Sequence, residues 1–255
     1  MPSTSEKGHA KNVANLSKLI EVCKGFGTKY NPSKTSIKVA NLTIKLNTSK
    51  QQLQDIKDTA QAETTARNNR AIGFKGSNKF STRVLAAIKA SDASAESIED
   101  AISINKKIQG ERITEAKKTK AEDGTEVDNS ISTSQMSYTN IVDHYKKYKT
   151  LLTSLATVYI PNETELQTAS VNTYINNLET LNNAVDTAET AASNSLIARD
   201  KGFYDDNTGI PDTAQAVKEY VKSVFNAGSP EHKLVTKIYF SKPGKKTKAK
   251  SSKTK

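Results

Sequence analysis

The feature that most constrains this chain is an apolar seam of unusual length. Between Pro32 and Phe74, the residues Val39, Leu42, Leu46, Ser49, Leu53, Ile56, Ala60, Glu63, Arg67, Arg70 and Phe74 recur at alternating spacings of three and four. Side chains three and four apart share one face of an α-helix, so the pattern predicts a coiled-coil-like rod packed lengthwise on other helices. At 1.5 Å rise per residue such a rod measures about 60 Å. The rest of the chain reads as material that covers it.

The pattern returns about 129 residues later, from Pro161 to Phe203. Leu166, Val171, Ile175, Leu178, Leu181, Val185, Ala188, Ala192 and Leu196 line the second rod. Its ends repeat those of the first without a gap: Tyr30 and Pro32 recur as Tyr159 and Pro161, and Arg70, Gly73 and Phe74 recur as Arg199, Gly202 and Phe203. Proline and glycine restrict backbone geometry, so their recurrence at helix ends points to an internal duplication. Asn31 as cap and Pro32 as first helical residue are expected to open the rod. Gly73 and Gly202 read as helix stops, each followed by an aromatic plug.

Shorter helices are expected around the rods: Asn12 to Phe26, Phe80 to Ile88 and a helix through Ile98 and Ile108 before the first break; Tyr138 to Leu155 and helices opened by Pro211 and by Ser229-Pro230 after it. The expected class is all-α, as two tandem duplicated antiparallel helical bundles, each built around one long helix of about 40 residues. Residues 11–110 form the first bundle and 137–241 the second. Residues 1–10, the polar stretch 111–136 and the tail 242–255 bury too little to fold, and are expected to be disordered or linking segments.

Composition agrees with long, narrowly striped helices. Hydrophobic residues make up 35% of the chain, aromatic residues 6%, and Trp is absent, which is lean for an enzyme with a deep apolar pocket. The net charge of +11 is concentrated in the tail: Lys242, Lys245, Lys246, Lys248, Lys250, Lys253 and Lys255 occur there with no acid. Neither an apolar leader core nor a run of 18 apolar residues is present, so a cytosolic protein with no membrane contact is expected.

The candidate sites are few. Glu63 and Arg67 stand four apart on one helical face and can pair, while Arg70, and Arg199 in the second copy, can reach a carboxylate or an anionic ligand. Asp205 to Gly209 lacks the alternating ligands and final Glu of a calcium loop and reads as a turn. Cys23 lies among Leu19, Ile20 and Phe26 and reads as a buried thiol. His9, His144 and His232 have no partner at metal-ligand spacing, and no nucleophile stands with a base. No catalytic residue, cofactor or metal is assigned. The expected function is a non-enzymatic structural or interaction protein, meeting a protein partner or a second copy through exposed helix seams. The alternative is nonspecific nucleic-acid association through the lysine tail, driven by counterion release.

Four stretches resemble a family of uncharacterised bacterial helical proteins of about this length: Lys7 to Asn15, Tyr30-Asn31-Pro32-Ser33, Lys107-Ile108-Gln109-Gly110 and Ser134 to Tyr138. The resemblance implies a shared tandem-bundle layout and carries no catalytic or binding residue.

Overall fold

Both rods begin seven residues later than their prolines, and one buried hydroxyl accounts for each delay. A computed structural model describes residues 8–111, 119–120, 126–127 and 136–242. Among them are the helices α1 (His9–Gly25), α2 (Val39–Phe74), α3 (Ser77–Lys89), α4 (Ala95–Gln109), α5 (Tyr138–Ser154), α6 (Thr168–Tyr204), α7 (Ile210–Phe225) and α8 (Pro230–Thr236). A two-residue antiparallel pairing, Thr119–Lys120 with Glu126–Val127, is the only other regular element among the described residues apart from short 3₁₀ turns. The class is all-α.

The Tyr30 hydroxyl donates to the Ile37 carbonyl at 2.7 Å and folds the chain back across seven residues. Lys34 and Lys38 are extended, with ψ of 110° and 144°, on either side of a 3₁₀ turn at Thr35–Ile37. Residues 31–38 therefore form a loop, and α2 starts at Val39 rather than at Pro32. The loop before α6 has the same geometry: the Tyr159 hydroxyl donates to the Leu166 carbonyl at 2.7 Å, and Glu163 and Gln167 hold ψ of 110° and 145° around Thr164–Leu166. The helices before the two loops, α1 and α5, are 17 residues each, and those after, α2 and α6, are 36 and 37.

Removing either hydroxyl leaves a buried carbonyl without its donor. Tyr30→Phe and Tyr159→Phe are each expected to lower stability by about 1–3 kcal/mol. Hydrogen exchange should show the loss first in amides of the affected loop, and unchanged exchange there would mean the hydroxyl does not hold the turn.

The glycines behave differently from helix stops. Gly73 and Gly202 lie inside α2 and α6, which continue to Phe74 and Tyr204. A Cβ on Gly73 would strike the Leu181 side chain, and one on Gly202 would lie 2.5 Å from the Gln52 amide. Each glycine lets the opposing rod approach its helix. The stop after α2 is Gly76, in the left-handed region at φ 90°.

Packing does not follow the two halves of the sequence. One compact unit joins residues 8–61 to residues 190–242; the other comprises 62–189. In the first unit, α1 and the start of α2 pack with the end of α6, α7 and α8 around Leu16, Leu19, Cys23, Leu42, Phe203 and Val217. The rods run antiparallel there: the Gln52 amide donates to the Ala198 carbonyl at 3.0 Å, and the Thr59 and Ser195 hydroxyls lie 3.0 Å apart.

In the second unit, the end of α2, α3, α4, α5 and the start of α6 enclose Ile88, Ile108, Tyr145, Tyr148, Leu152 and Ile175. The buried Tyr145 and Tyr148 hydroxyls donate to the carbonyls of Ser77 and Ala101 at 2.5 and 3.1 Å. The expected bundles 11–110 and 137–241 are thus replaced by units in which the start of one rod is covered by the end of the other. A seam of this length exceeds what its own short neighbours cover, and the other rod supplies the missing face. Most of the expected linker 111–136, residues 1–7 and residues 243–255 lie outside the described residues, whereas His9 and Ala10, expected to be disordered, belong to α1.

Candidate functional site

The charged end of the first seam is occupied by the protein's own side chains. Arg67 meets Glu63 through Nε at 3.0 Å and Nη2 at 2.9 Å, and the same Nη2 reaches Glu189 at 2.7 Å. With its side chain 51% exposed, Arg67 gains little from either carboxylate beyond orientation. Arg70 meets a neutral amide rather than a carboxylate among the described residues. Its Nη1 donates to the Asn182 carbonyl oxygen at 3.0 Å, and its guanidinium lies 4.3 Å from the centre of the Tyr138 ring. The Asn182 amide donates in turn to the Thr139 hydroxyl at 3.2 Å. In the other unit, Arg199 reaches the neighbouring Asp200 through Nε at 2.9 Å and Nη2 at 2.6 Å. Glu63 and Arg67 form the pair their spacing implies.

The root of the lysine tail is fastened. Asn12 grips Ser241 twice, donating to its carbonyl at 2.8 Å and accepting from its amide at 3.0 Å, and Asn15 donates to the Tyr239 carbonyl at 2.6 Å. Lys242 bridges Asp212 at 2.7 Å and, ahead of the Asn207 amide, holds that carboxyl below its ordinary value. The Asp205–Gly209 segment is a turn, closed by the Gly209 amide on the Asp205 carbonyl at 2.7 Å. Lys245, Lys246, Lys248, Lys250, Lys253 and Lys255 lie outside the described residues.

Three titratable groups are set by burial. Cys23 is 1% exposed, and burial pushes its thiol up to about 11, which makes it a poor nucleophile. His9 sits with Nδ1 2.8 Å from the Tyr204 hydroxyl, and burial, then the Arg199 charge, lower its pKa. His144 on α5 is 7% exposed, and neither ring nitrogen has a hydrogen-bond partner among the described residues. Among the described residues, no three His, Cys, Asp or Glu side chains gather to hold a metal, and no helix is long and apolar enough to cross a membrane.

Beside His144 lies a feature that sequence reading missed, an open groove of about 480 Å³ between α4 and α5. Ile104 and Leu151 give it an apolar floor, and Lys107 and Lys147, with Ser103 and Thr150, give it polar edges. Asp100 and Ser154 complete the lining. The residues come from two stripes of identical spacing, 100, 103, 104, 107 and 147, 150, 151, 154. Each stripe was visible in the sequence; that they face one another was not.

No family model matches the chain. No curated protein and no solved structure matches it either.

Proposed function

We propose that the chain is a non-enzymatic structural or interaction protein of the cytosol, built by duplicating a helical module and working through the uncovered parts of its long helices. The observation that carries the reading is on α6, where Leu196 and Ile197 stand adjacent and 43% and 65% exposed although Leu196 continues the apolar seam. The first rod loses cover in the same way, with Leu42 and Leu46 buried but Leu53 and Ile56 only half-buried. Apolar area left in water gains about 25 cal/mol per Å² when a partner covers it, which gives these faces their use. The paired loops closed by Tyr30 and Tyr159, with helices of matching length on either side, support duplication.

The partner is a second copy or another protein. Light scattering is expected to show assembly or a captured partner, either of which Leu196→Glu with Ile197→Glu abolishes. A monomer at every concentration with no partner captured refutes the reading.

The lysine tail supports a second reading, nonspecific nucleic-acid association. Since Lys242 is held by Asp212, the contact falls to Lys245 and beyond. Retention on heparin at roughly 50 mM salt, lost on deleting residues 243–255, is its expected sign, and no retention at that salt refutes it.

A further inference from the structure

We infer that the line where α1 and α7 meet is a docking seat for an extended peptide segment, filled here by the protein's own residues 238–242, and that the same segment of a second copy takes it in trans. After α8 the chain turns at Lys237 and Ile238, and residues 239–242 belong to no helix or strand. Their side chains still alternate. Ile238 is 3% exposed, Tyr239 is 72% exposed, and Phe240 is partly buried against the core of the first unit. Alternation with a period of two is the mark of an extended run with one face covered.

The main chain of this run is read by side chains. Asn12 on α1 donates to the Ser241 carbonyl at 2.8 Å and accepts from the Ser241 amide at 3.0 Å, as a neighbouring strand would. Asn15, one turn further along α1, donates to the Tyr239 carbonyl at 2.6 Å, and Lys218 on α7 donates through Nζ to the Ile238 carbonyl at 2.7 Å. Asn12 and Asn15 thus meet alternate residues of a run that passes α1 in the opposite direction. The Asn12 side chain is buried, and its amide also donates to the Tyr204 hydroxyl at 3.3 Å, which lies 2.8 Å from His9 Nδ1. The seat is therefore held in shape by α1 and α6, which do not belong to the segment it holds.

Bonds to main chain are blind to side chains, so selectivity falls to the alternate inward residues. Ile238 is buried, and the Lys218 ammonium lies 5.8 Å from the centre of the Phe240 ring. Lys242 adds a matched charge on Asp212 at 2.7 Å. The occupant this selects is the segment itself, and none of these contacts depends on which copy supplies it. A short tether gives the protein's own segment an effective concentration on the order of millimolar, which is its advantage over a second copy's. Exchange rebuilds no helix, because the run leaves from the turn after α8 and no described element follows it. The seat is separate from the exposed seam at Leu196 and Ile197, and stands or falls independently of it.

The test pairs two full-length variants, each disabled on one side. Phe240→Ser keeps the seat and spoils the segment; Asn15→Ala, alone or with Asn12→Ala, keeps the segment and spoils the seat. With the Phe240→Ser chain labelled with ¹⁵N, the side-chain amide signals of Asn12 and Asn15 report the seat by NMR, and the α7 backbone signals check folding. Adding either unlabelled seat variant is expected to shift both amides saturably while the labelled chain's own Ser241 amide moves to its free-chain position. A synthetic peptide of residues 236–242 should do the same, and a donor or peptide that itself carries Phe240→Ser should bind about tenfold more weakly. The docking seat is overturned if the peptide causes no saturable shift, if the Phe240→Ser peptide binds as tightly, or if the asparagine signals shift while Ser241 stays in place. Shifts with the peptide but not with either donor chain would overturn the second copy as occupant.

Discussion

Phe203→Ala is expected to remove about 3–5 kcal/mol of stability, a large part of what a domain of this size possesses. The ring is wholly buried in the core of the first unit and meets the His9 ring edge-on at 5.9 Å and 70°. A cavity costs most where its walls cannot close, and the backbone here is wedged. Gly209 packs so near that a Cβ on it would lie 2.6 Å from the Phe203 carbonyl oxygen. The end of α6 thus has no room to settle into the space the ring leaves. Phe203→Leu keeps most of the volume and should cost less than about 1.5 kcal/mol. Ile72→Ala serves as control: Ile72 is 70% exposed, and its truncation should stay within about 0.5 kcal/mol. Urea denaturation of the three variants checks the order. A loss below about 1 kcal/mol for Phe203→Ala would mean that the core closes over the gap after all.

What the sequence made legible was whatever neighbouring residues decide among themselves. Ser94 and Ser229 cap α4 and α8 by accepting from the amides of Ser97 and His232, as residues of that kind before an apolar run should. Pro211 stands in the first turn of α7, and Gly110 ends α4 in the left-handed region. The Glu63–Arg67 pair is a contact within one helix and could be read from spacing alone. Contacts between distant segments were illegible. The Tyr30 hydroxyl takes the Ile37 carbonyl and turns a proline-led helix start into a loop, and Arg70 finds Asn182, 112 positions away, where spacing offered only a carboxylate or an anionic ligand.

The same distinction explains the division into units. A seam with a period of three and four says that a helix face is covered, never by what. Leu42 is buried in a core shared with Phe203, and Phe74 in one shared with Tyr145 and Ile175, so each rod contributes its two ends to different cores. The recurrence of Tyr30 as Tyr159 and of Gly73 as Gly202 was readable because both pairs occupy equivalent places along the chain. Which rod end covers which was settled by long-range packing, and both glycines serve that packing rather than the helix ends assigned to them.

His144→Leu is expected to stabilise the second unit, and more in mild acid than in mild alkali. The ring is 7% exposed and its two nitrogens have no hydrogen-bond partner among the described residues, so the wild-type residue bears a desolvation cost that leucine removes at similar volume, about 1–3 kcal/mol. The pH dependence follows from charge. Burial first, then Lys147 on α5 and Lys107 on α4, lower the His144 pKa below its ordinary 6.5, and Asp143 opposes them weakly. From α6, Glu179 bonds Lys146 and is spoken for. In the unfolded chain the ring recovers its ordinary value and binds the proton more readily than in the fold. Stability is therefore full above about pH 6.5, falls as pH drops through that value, and levels off once the folded ring also protonates. Leucine has no such proton to bind, so denaturant midpoints at pH 7.5 and pH 5 should separate less in the variant than in the wild type. His9 has a lowered pKa as well, but its residues belong to the first unit, so hydrogen exchange on α4 and α5 isolates the share that His144 contributes. A variant less stable than wild type at pH 7.5 would show that the ring nitrogens are satisfied in solution.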